Sequence, residues 1–281
     1  STIINAGQID NRGIELSVNG IPVKTRSGFE WSMGLNFSRN VNKVSKLAQG
    51  LDHYVLGGYW SLDVLAVPGE PFGVLYGYDF MRNDEGKVIH IDGLPVQGDI
   101  KNLGNYTPDW VAGLTNSIRY KNLLFSVLID ARWGGEIYSM TNTWGRYAGV
   151  LGETLIGREG GLVGVGVMDD GQGRWVENDV VVSAEEYNKA AYNNNIAYSS
   201  IFDASFVKLR EVQVGYTFPK IGKNVLRDVS ISLVGRNLAL LYARVPHIDP
   251  ETAFSSSNVQ GLEFGQHPTA RSFGINLTFR F

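Results

Sequence analysis

Strict alternation of apolar and polar residues along short stretches is the feature of this sequence that most constrains its fold. In the stretch GFEWSMGLNFSRN, residues 28–40, the large apolar residues that alternate are Phe29, Trp31, Met33, Leu35 and Phe37. Successive side chains of a β-strand point to opposite faces, so a period of two predicts a strand with one apolar face. The stretch also matches the roughly 9–11 residues with which a tilted strand crosses a bilayer.

The same period recurs along the chain and predicts nine strands. They cover residues 12–20, 28–40, 61–67, 72–80, 110–120, 122–133, 210–218, 228–240 and 272–281. Aromatic residues near the predicted strand ends are typical of the girdles at membrane interfaces: Trp31, Tyr76, Tyr78, Tyr120, Trp133 and Tyr216. One helix is predicted after Ser183, because Ser183 and Glu186 have the spacing of a capping box.

Short and long connections between the predicted strands alternate strictly. The long connections cover residues 41–60, 82–109, 134–204 and 242–269. Bacterial outer-membrane barrels have short periplasmic turns and long extracellular loops, whereas a soluble sandwich has no reason to gather its long loops at one end. The sequence therefore predicts an all-β fold, an antiparallel transmembrane β-barrel segment. Because such barrels have an even number of strands, nine strands predict that others come from an upstream segment or another chain.

Composition and motifs exclude several functions. The chain has 25 Lys and Arg against 28 Asp and Glu, so it lacks the basic footprint of a nucleic-acid binder. It has no cysteine, which excludes disulfides, thiol catalysis and cysteine-bound zinc. No acid–base pair or nucleophile arrangement is visible, and we expect no enzymatic activity.

Histidines and acidic loops offer few candidate metal ligands. The four histidines fall in predicted loops without the spacing of a metal site, and we expect them to be solvated: His53, His90, His247 and His267. Residues 83–93 and 169–173 are acidic and glycine-rich, but neither has the register of a calcium loop. Polar turns are the favoured interpretation, and we predict no cofactor; calcium in these loops is an unsupported alternative.

Seven ordered blocks of sequence resemble the C-terminal part of SusC/RagA-type TonB-dependent transporters. They span nearly all 281 residues and include NAGQIDNRGIELSVNG, WSMGLNFSRNVNKVSKL, VPGEPFGVLYGYDF and SFGINLTFRF. The resemblance implies a 22-stranded barrel in the Gram-negative outer membrane, closed by an N-terminal plug and energised by the TonB complex. Residues 1–281 would then be the C-terminal portion of the barrel domain, with the plug and earlier strands outside this chain. A SusD-like lipoprotein lid and import of oligosaccharides or peptides are also implied.

The longest predicted loop has the residue types of a ligand-contact surface. Its aromatic residues Trp144, Tyr147 and Trp175 are flanked by polar ones. The flanking residues are Asn142, Arg146 and Glu177. A sugar ring has both apolar faces and hydrogen-bonding edges, so aromatic and polar side chains together suit it. We predict the three aromatic residues as substrate or lid contacts; packing within the loop is the alternative.

The last predicted strand carries a short motif of polar, glycine, apolar and aromatic residues. Ser272, Gly274, Leu277 and Phe279 fit it, and Arg280 and Phe281 follow. The motif resembles the C-terminal signal that the barrel-assembly machinery recognises; an ordinary final strand is the alternative. Two other functions are also compatible with the sequence, a structural or adhesive outer-membrane barrel and a soluble carbohydrate-binding β-protein.

Overall fold

The computed structural model describes residues 7–221, 226–252 and 254–280, so Phe281 lies outside it. The first elements in chain order are β1 (Gly7–Lys24), β2 (Phe29–Leu47), β3 (Tyr54–Tyr59), β4 (Leu62–Ala66), β5 (Val74–Phe80), β6 (His90–Ile91), β7 (Leu94–Pro95), β8 (Gln97–Asn105), β9 (Trp110–Tyr120), β10 (Leu123–Trp133), β11 (Glu136–Ser139) and α1 (Met140–Tyr147). After α1 come a 3-10 helix (Gly152–Leu155), β12 (Leu162–Val163), β13 (Val167–Asp169), β14 (Trp175–Glu177), β15 (Val181–Val182), α2 (Ala184–Asn193), a second 3-10 helix (Ala197–Ser200), β16 (Ile201–Asp203), β17 (Phe206–Ile221), β18 (Leu226–Ala243), β19 (Leu262–Glu263) and β20 (Ser272–Arg280).

Seven antiparallel strands form one continuous sheet, here called the wall. Their order is β1-β2-β9-β10-β17-β18-β20, so each strand pairs with the wall strand that precedes it in the chain. The register aligns one apolar row across six of the strands: Trp31, Ile118, Phe125, Val214, Leu233 and Ile275. The adjacent row on the opposite face is polar from β2 to β17, with Ser32, Ser117, Ser126 and Gln213, and Ser117 Oγ lies 2.7 Å from Ser126 Oγ within it. The predicted separation of apolar and polar faces is confirmed.

The apolar face of the wall is exposed across its width. Its uncovered side chains include Ile14, Phe125, Val214, Leu233 and Ile275. Six strand spacings of about 4.8 Å and an apolar band about 25 Å high give an area of roughly 720 Å². The largest apolar patch on a typical soluble monomer is only about 300–600 Å². This face therefore needs an apolar cover.

Aromatic rings mark both ends of the apolar face. At one end, Trp133 stacks between Trp110 and Tyr242, with ring centroids 5.9 Å and 6.0 Å away. At the other end lie Tyr120 and Tyr216. The 11 residues of β9 run from one end to the other. They span about 34 Å along the strand and about 25 Å once tilted, which is the height of a barrel's apolar band.

Two of the nine predicted strands are not part of the wall. Residues 61–67 and 72–80 contribute β4 and β5 to a separate four-stranded sheet, ordered β3-β4-β5-β8, while β2 pairs directly with β9. The wall therefore has seven strands in the described ranges, and the prediction of nine was wrong. Tyr76 and Tyr78 belong to β5, so the structure also contradicts their assignment to an aromatic girdle.

Three long connections leave the same end of the wall and pack on one another. Loop 1 covers residues 48–109, loop 2 residues 134–205 and loop 3 residues 244–271. One hydrophobic core contains side chains from all three: Leu62, Val64, Leu75, Leu103, Tyr138, Met140, Ala197 and Leu262. We call this unit the loop assembly. The alternation of short and long connections is confirmed, with three long loops in place of four.

Backbone pairing and side-chain hydrogen bonds join the three loops. Strand β11 of loop 2 pairs with β19 of loop 3, and Tyr106 of loop 1 donates to the Asn258 carbonyl at 3.2 Å. The predicted capping box is present, since Ser183 and Glu186 bond reciprocally at the start of α2. Within the described ranges, no helix has both the length and the apolar character needed to cross a membrane.

Candidate ligand-binding site in the loop assembly

Seven aromatic rings from all three loops form one group, here called the aromatic cluster. Its members are Tyr59 and Trp60 of loop 1, Trp144, Tyr147 and Tyr192 of loop 2, and Phe254 and Phe264 of loop 3. Trp60 and Trp144 come from different loops, and their ring centroids are 6.0 Å apart in an edge-to-face arrangement. Both tryptophans remain about half exposed. The fold thus assembles an aromatic surface that no single loop contains.

Trp60 forms the tip of the β3–β4 hairpin in an unusual backbone conformation. Because Tyr59 pairs with Leu62, Trp60 and Ser61 make a two-residue turn. The φ angle of Trp60 is 51°, in the left-handed region that bulky residues avoid. Such strain costs about 1–3 kcal/mol and persists where surrounding contacts enforce it, often at ligand-binding positions. Here the rings of Tyr59 and Phe264, at 4.1 Å and 5.2 Å, hold the indole, which is still 53% exposed.

Helix α1 presents two of the predicted contact residues together. Ser139 caps the helix by accepting a hydrogen bond from the Asn142 backbone. Trp144 and Tyr147 are three residues apart and therefore share one side of the helix. Both rings contact Tyr192 of α2, at centroid distances of 6.1 Å and 5.0 Å.

The predicted polar neighbours on α1 have structural partners. Asn142 is buried, and its Nδ2 donates to Ser139 Oγ at 2.9 Å and to the Pro246 carbonyl at 3.0 Å. Arg146 donates to the Ser199 carbonyl at 2.7 Å and to Ser200 Oγ at 2.6 Å. Burial lowers the pKa of the Arg146 guanidinium. These two side chains stabilise the loop assembly, because their hydrogen bonds are made to other residues of the protein.

Trp175, the third predicted contact residue, lies on a different element. It pairs with Asp169 across the β13–β14 hairpin, and Glu177 lies on the same hairpin. The ring is 47% exposed, but among the described residues it contacts none of the aromatic cluster. The structure therefore joins Trp144 with Tyr147 and leaves Trp175 apart.

A partly enclosed cavity of about 220 Å³ adjoins the aromatic cluster. It is lined by Trp60, Ser61, Tyr138, Thr143, Ala191, Tyr192, Asn193, Asn195 and Ile196, none of which is charged. Ser61 Oγ and Tyr138 Oη lie 3.2 Å apart, and burial raises the pKa of the Tyr138 phenol, which keeps it protonated. Asn193 and Asn195 are exposed, so their side-chain amides are accessible to a ligand. The cavity thus offers ring faces, hydroxyls and amides.

Charged residues anchor loop 3 to the polar face of the wall. Lys208 Nζ lies 2.6 Å from Asp249 Oδ1 and 2.6 Å from Glu251 Oε2. Burial alone would raise the pKa of Asp249, but hydrogen bonds from Lys208 and Thr269 outweigh it and lower the pKa to about 2. A cavity of about 880 Å³ lies beside this anchor; its charged lining residues are Glu15, Asp130, Arg132, Arg210 and Glu251.

His90 is buried, which contradicts the expectation of a solvated loop histidine. Only 2% of its surface is exposed, and its ring stacks on Tyr187 at a centroid distance of 6.3 Å. Gly164 of loop 2 approaches so closely that an added Cβ would lie 2.5 Å from His90 Nε2. Burial lowers the pKa of this imidazole.

The acidic, glycine-rich stretches use their side-chain oxygens to form turns. Asn83 Oδ1 accepts from the backbone of Glu85 at 3.1 Å and of Lys87 at 2.9 Å. Asp169 Oδ1 accepts from the Gly171 backbone at 2.7 Å, and Asp170 forms a similar bond. Across the described ranges, no group of three or more His, Asp or Glu residues is placed to hold a metal ion. The interpretation as polar turns agrees with this geometry.

The C-terminal motif lies in β20. Gly274 pairs with Val234 and Leu277 with Ile231 of β18, which places Leu277 on the apolar face. Phe279, two residues on, is also exposed, and Ser272 begins the strand. In the described sheet β20 is an edge strand, with β18 as its one partner. Its role as an assembly signal stays a prediction.

Comparison with known proteins identifies relatives along the whole chain, although no family model matches it. The chain is 29% identical, over its full length, to 30% of TonB-dependent receptor P3 of Formosa agariphila. It is 23% identical, over 99% of its length, to 27% of TonB-dependent receptor SusC of Bacteroides thetaiotaomicron. In fold it matches the structure of the RagAB peptide transporter with a TM-score of 0.68 and 18% identity, covering 97% of this chain and 30% of that one.

These matches confirm the resemblance inferred from sequence. The chain spans about 30% of the length of the relatives it matches. The relatives are receptors and transporters rather than enzymes, in agreement with the expectation from sequence. The match to a barrel transporter also confirms the predicted class, an antiparallel barrel-type sheet. The chain is therefore homologous, over its whole length, to part of the TonB-dependent receptors, SusC among them.

Proposed function

We propose that this chain supplies part of the barrel wall and the external loops of a TonB-dependent outer-membrane importer of oligosaccharides or peptides. The observation that carries the proposal is the exposed apolar face, which spans all seven wall strands while the opposite face is mostly polar. Lipid on one side and a water-filled lumen on the other satisfy both faces. The homology to SusC and the fold match to a peptide transporter support the same conclusion.

The proposal requires partners that complete the barrel. Within the described sheet, β1 and β20 are both edge strands, and an unpaired backbone edge in lipid costs several kcal/mol per group. An upstream segment of the same transporter would supply the other strands and the plug through which TonB acts. A SusD-like lipoprotein would cover the loop assembly from outside. In this arrangement substrate meets the aromatic cluster first and then passes along the polar face of the wall.

The test uses the intact protein in the outer membrane of its own host. We expect the protein to stay in the membrane fraction after an alkaline carbonate wash and to require detergent for release. Cells should take up labelled oligosaccharides or peptides, and this uptake should stop when the gene or TonB is deleted.

Two other outcomes would contradict the proposal. If the protein were recovered in the water-soluble fraction, the alternative function, a soluble carbohydrate-binding β-protein, would be favoured. A membrane-embedded protein whose deletion leaves all uptake unchanged would indicate a structural or adhesive barrel.

A further inference from the structure

We propose that the cavity beside Trp60 and Tyr192 binds one ring of an uncharged saccharide, which makes the imported substrate a neutral glycan rather than a peptide. This inference rests on the proposed function, because it names the substrate class of the importer's loop site. It is argued from the chemistry, size and backbone conformation of the nine lining residues.

The lining combines the two kinds of surface that a pyranose presents. The C–H faces of a sugar ring are apolar and pack on aromatic rings, here those of Trp60 and Tyr192. The sugar hydroxyls both donate and accept hydrogen bonds. The side chains of Ser61, Tyr138, Thr143, Asn193 and Asn195 do the same, because hydroxyls and amides carry donors and acceptors together.

The absence of charge in the lining argues against a peptide terminus or an acidic sugar. A charged group placed in a cavity without a counter-charge is strongly disfavoured. None of the nine lining residues is ionised at neutral pH. Arg146 of α1 keeps its charge, but its guanidinium donates to the Ser199 carbonyl and to Ser200 Oγ and is not part of the lining. The larger cavity on the wall is lined by charged residues, but Arg210 and Glu251 there pair with each other.

The size of the cavity fits one ring. Its volume of about 220 Å³ equals roughly seven water molecules at about 30 Å³ each. A single hexose with its hydroxyls occupies a space of this order, whereas a chain of sugars does not. The neighbouring rings of a longer glycan would lie over Trp144 and Tyr147, which continue the aromatic surface beyond the cavity.

Two lining residues hold left-handed backbone conformations that fix the shape of the cavity. The φ angles are 51° for Trp60 and 53° for Asn195. Asparagine tolerates this region, but tryptophan adopts it at a cost. The cost is offset where the conformation aims a side chain at a ligand, and the exposed indole of Trp60 is placed in this way.

The experiment measures ligand binding to the intact, detergent-solubilised protein by titration calorimetry. The probes are neutral hexasaccharides of glucose, xylose and mannose, a hexamer of a uronic acid, and a set of octapeptides. We expect at least one neutral hexasaccharide to bind, and the uronic-acid hexamer and the octapeptides not to bind. Trp60→Gly and Asn193→Leu should each weaken this binding about tenfold, since each removes one face of the subsite.

Trp175→Ala is the matched control, because Trp175 is a similarly exposed tryptophan of loop 2 outside the cavity. It should leave affinity unchanged. Asn193→Leu changes an exposed side chain at the end of α2 and leaves the Trp60 turn unchanged. It therefore tests the cavity even if Trp60→Gly weakens binding by disturbing the fold of the hairpin.

Three results would overturn the inference. They are binding of peptides or uronates in place of neutral sugars, binding of no neutral hexasaccharide, and equal losses for Trp60→Gly and Trp175→Ala. TonB-dependent uptake by cells is measured in parallel. Uptake of peptides would refute the neutral-glycan subsite but not the proposed import function. A protein that supports no uptake and is not found in the membrane would refute the import function itself.

Discussion

Arg210 and Glu251 form a two-pronged ion pair between the wall and loop 3. Arg210 Nη2 lies 2.6 Å from Glu251 Oε1, and Nη1 lies 3.0 Å from Oε2. Arg210 belongs to β17, and both side chains are mostly buried. Lys208 of the same strand adds a second contact to Glu251. Loop 3 is therefore anchored by charge to the polar face of the wall.

Removing the charge of Glu251 should release this anchor. Glu251→Gln leaves Arg210 and Lys208 with one counter-charge fewer, and we expect a loss of about 2–3 kcal/mol, since the pair is not fully buried. Hydrogen exchange of residues 244–252 and thermal unfolding in detergent would measure it. Glu211→Gln is the control; its partner Arg236 is exposed, so a loss below about 1 kcal/mol is expected. Equal losses of stability for the two substitutions would show that the Arg210–Glu251 pair contributes no more than an exposed ion pair.

Neighbouring residues of β17 should differ sharply in their tolerance of charge. Val214 lies in the apolar row and Gln213 in the adjacent polar row. If the apolar face contacts lipid, Val214→Arg should cost about 2–4 kcal/mol while Gln213→Arg costs little. Folding of the intact protein into lipid vesicles, followed by urea unfolding, would measure both. Similar costs for the two variants would argue against a lipid-facing row.

Burial of His90 should make the contact between loops 1 and 2 sensitive to acid. The fold favours the neutral imidazole and lowers its pKa below the usual 6.5. Its contribution to stability is therefore complete above about pH 6.5 and is lost as the pH falls through the lowered value. Hydrogen exchange of residues 162–182 should increase on acidification. His90→Phe should remove this dependence, and His267→Phe, in an exposed position, should leave it unchanged.

Comparison of two substitutions at Trp60 would measure the backbone strain directly. Trp60→Ala and Trp60→Gly both remove the indole and its contacts. Only glycine adopts a φ of 51° freely, so the glycine variant should be more stable by about 1 kcal/mol. Thermal unfolding of the two variants would test this. Equal stability would mean that the hairpin tip relaxes when the ring is removed.

The wall could be predicted from sequence because each strand carries its own pattern. Residues 28–40 show the apolar face without reference to any other part of the chain. β4 and β5 alternate in the same way, yet protein covers them: Leu62, Val64 and Leu75 are buried. Alternation reports an apolar face and does not say whether lipid or protein covers it. Length was a usable signal for residues 61–67 alone, because seven residues are too few to cross a bilayer, whereas residues 72–80 reach nine. The strands that form there, β4 and β5, are shorter still, with five and seven residues.

The candidate site could be predicted only in part. Trp144 and Tyr147 were predicted as contact residues because they are close in sequence and are flanked by polar residues. Trp60 and Phe264 were missed, since they reach the site from other loops through long-range packing. No local pattern connects such residues, and the same packing explains why Trp175, near in sequence, lies elsewhere.

The core shared by the three loops has a consequence for how the loop assembly can change in evolution. Met140 of loop 2 and Leu262 of loop 3 bury themselves against Leu62 and Leu75 of loop 1. Exchange of one loop for that of a relative would leave the other two packed on mismatched side chains. If the loops bind substrate as proposed, a change of specificity would then require the three loops to be exchanged together, and a hybrid with loops from different relatives would be less stable than either parent.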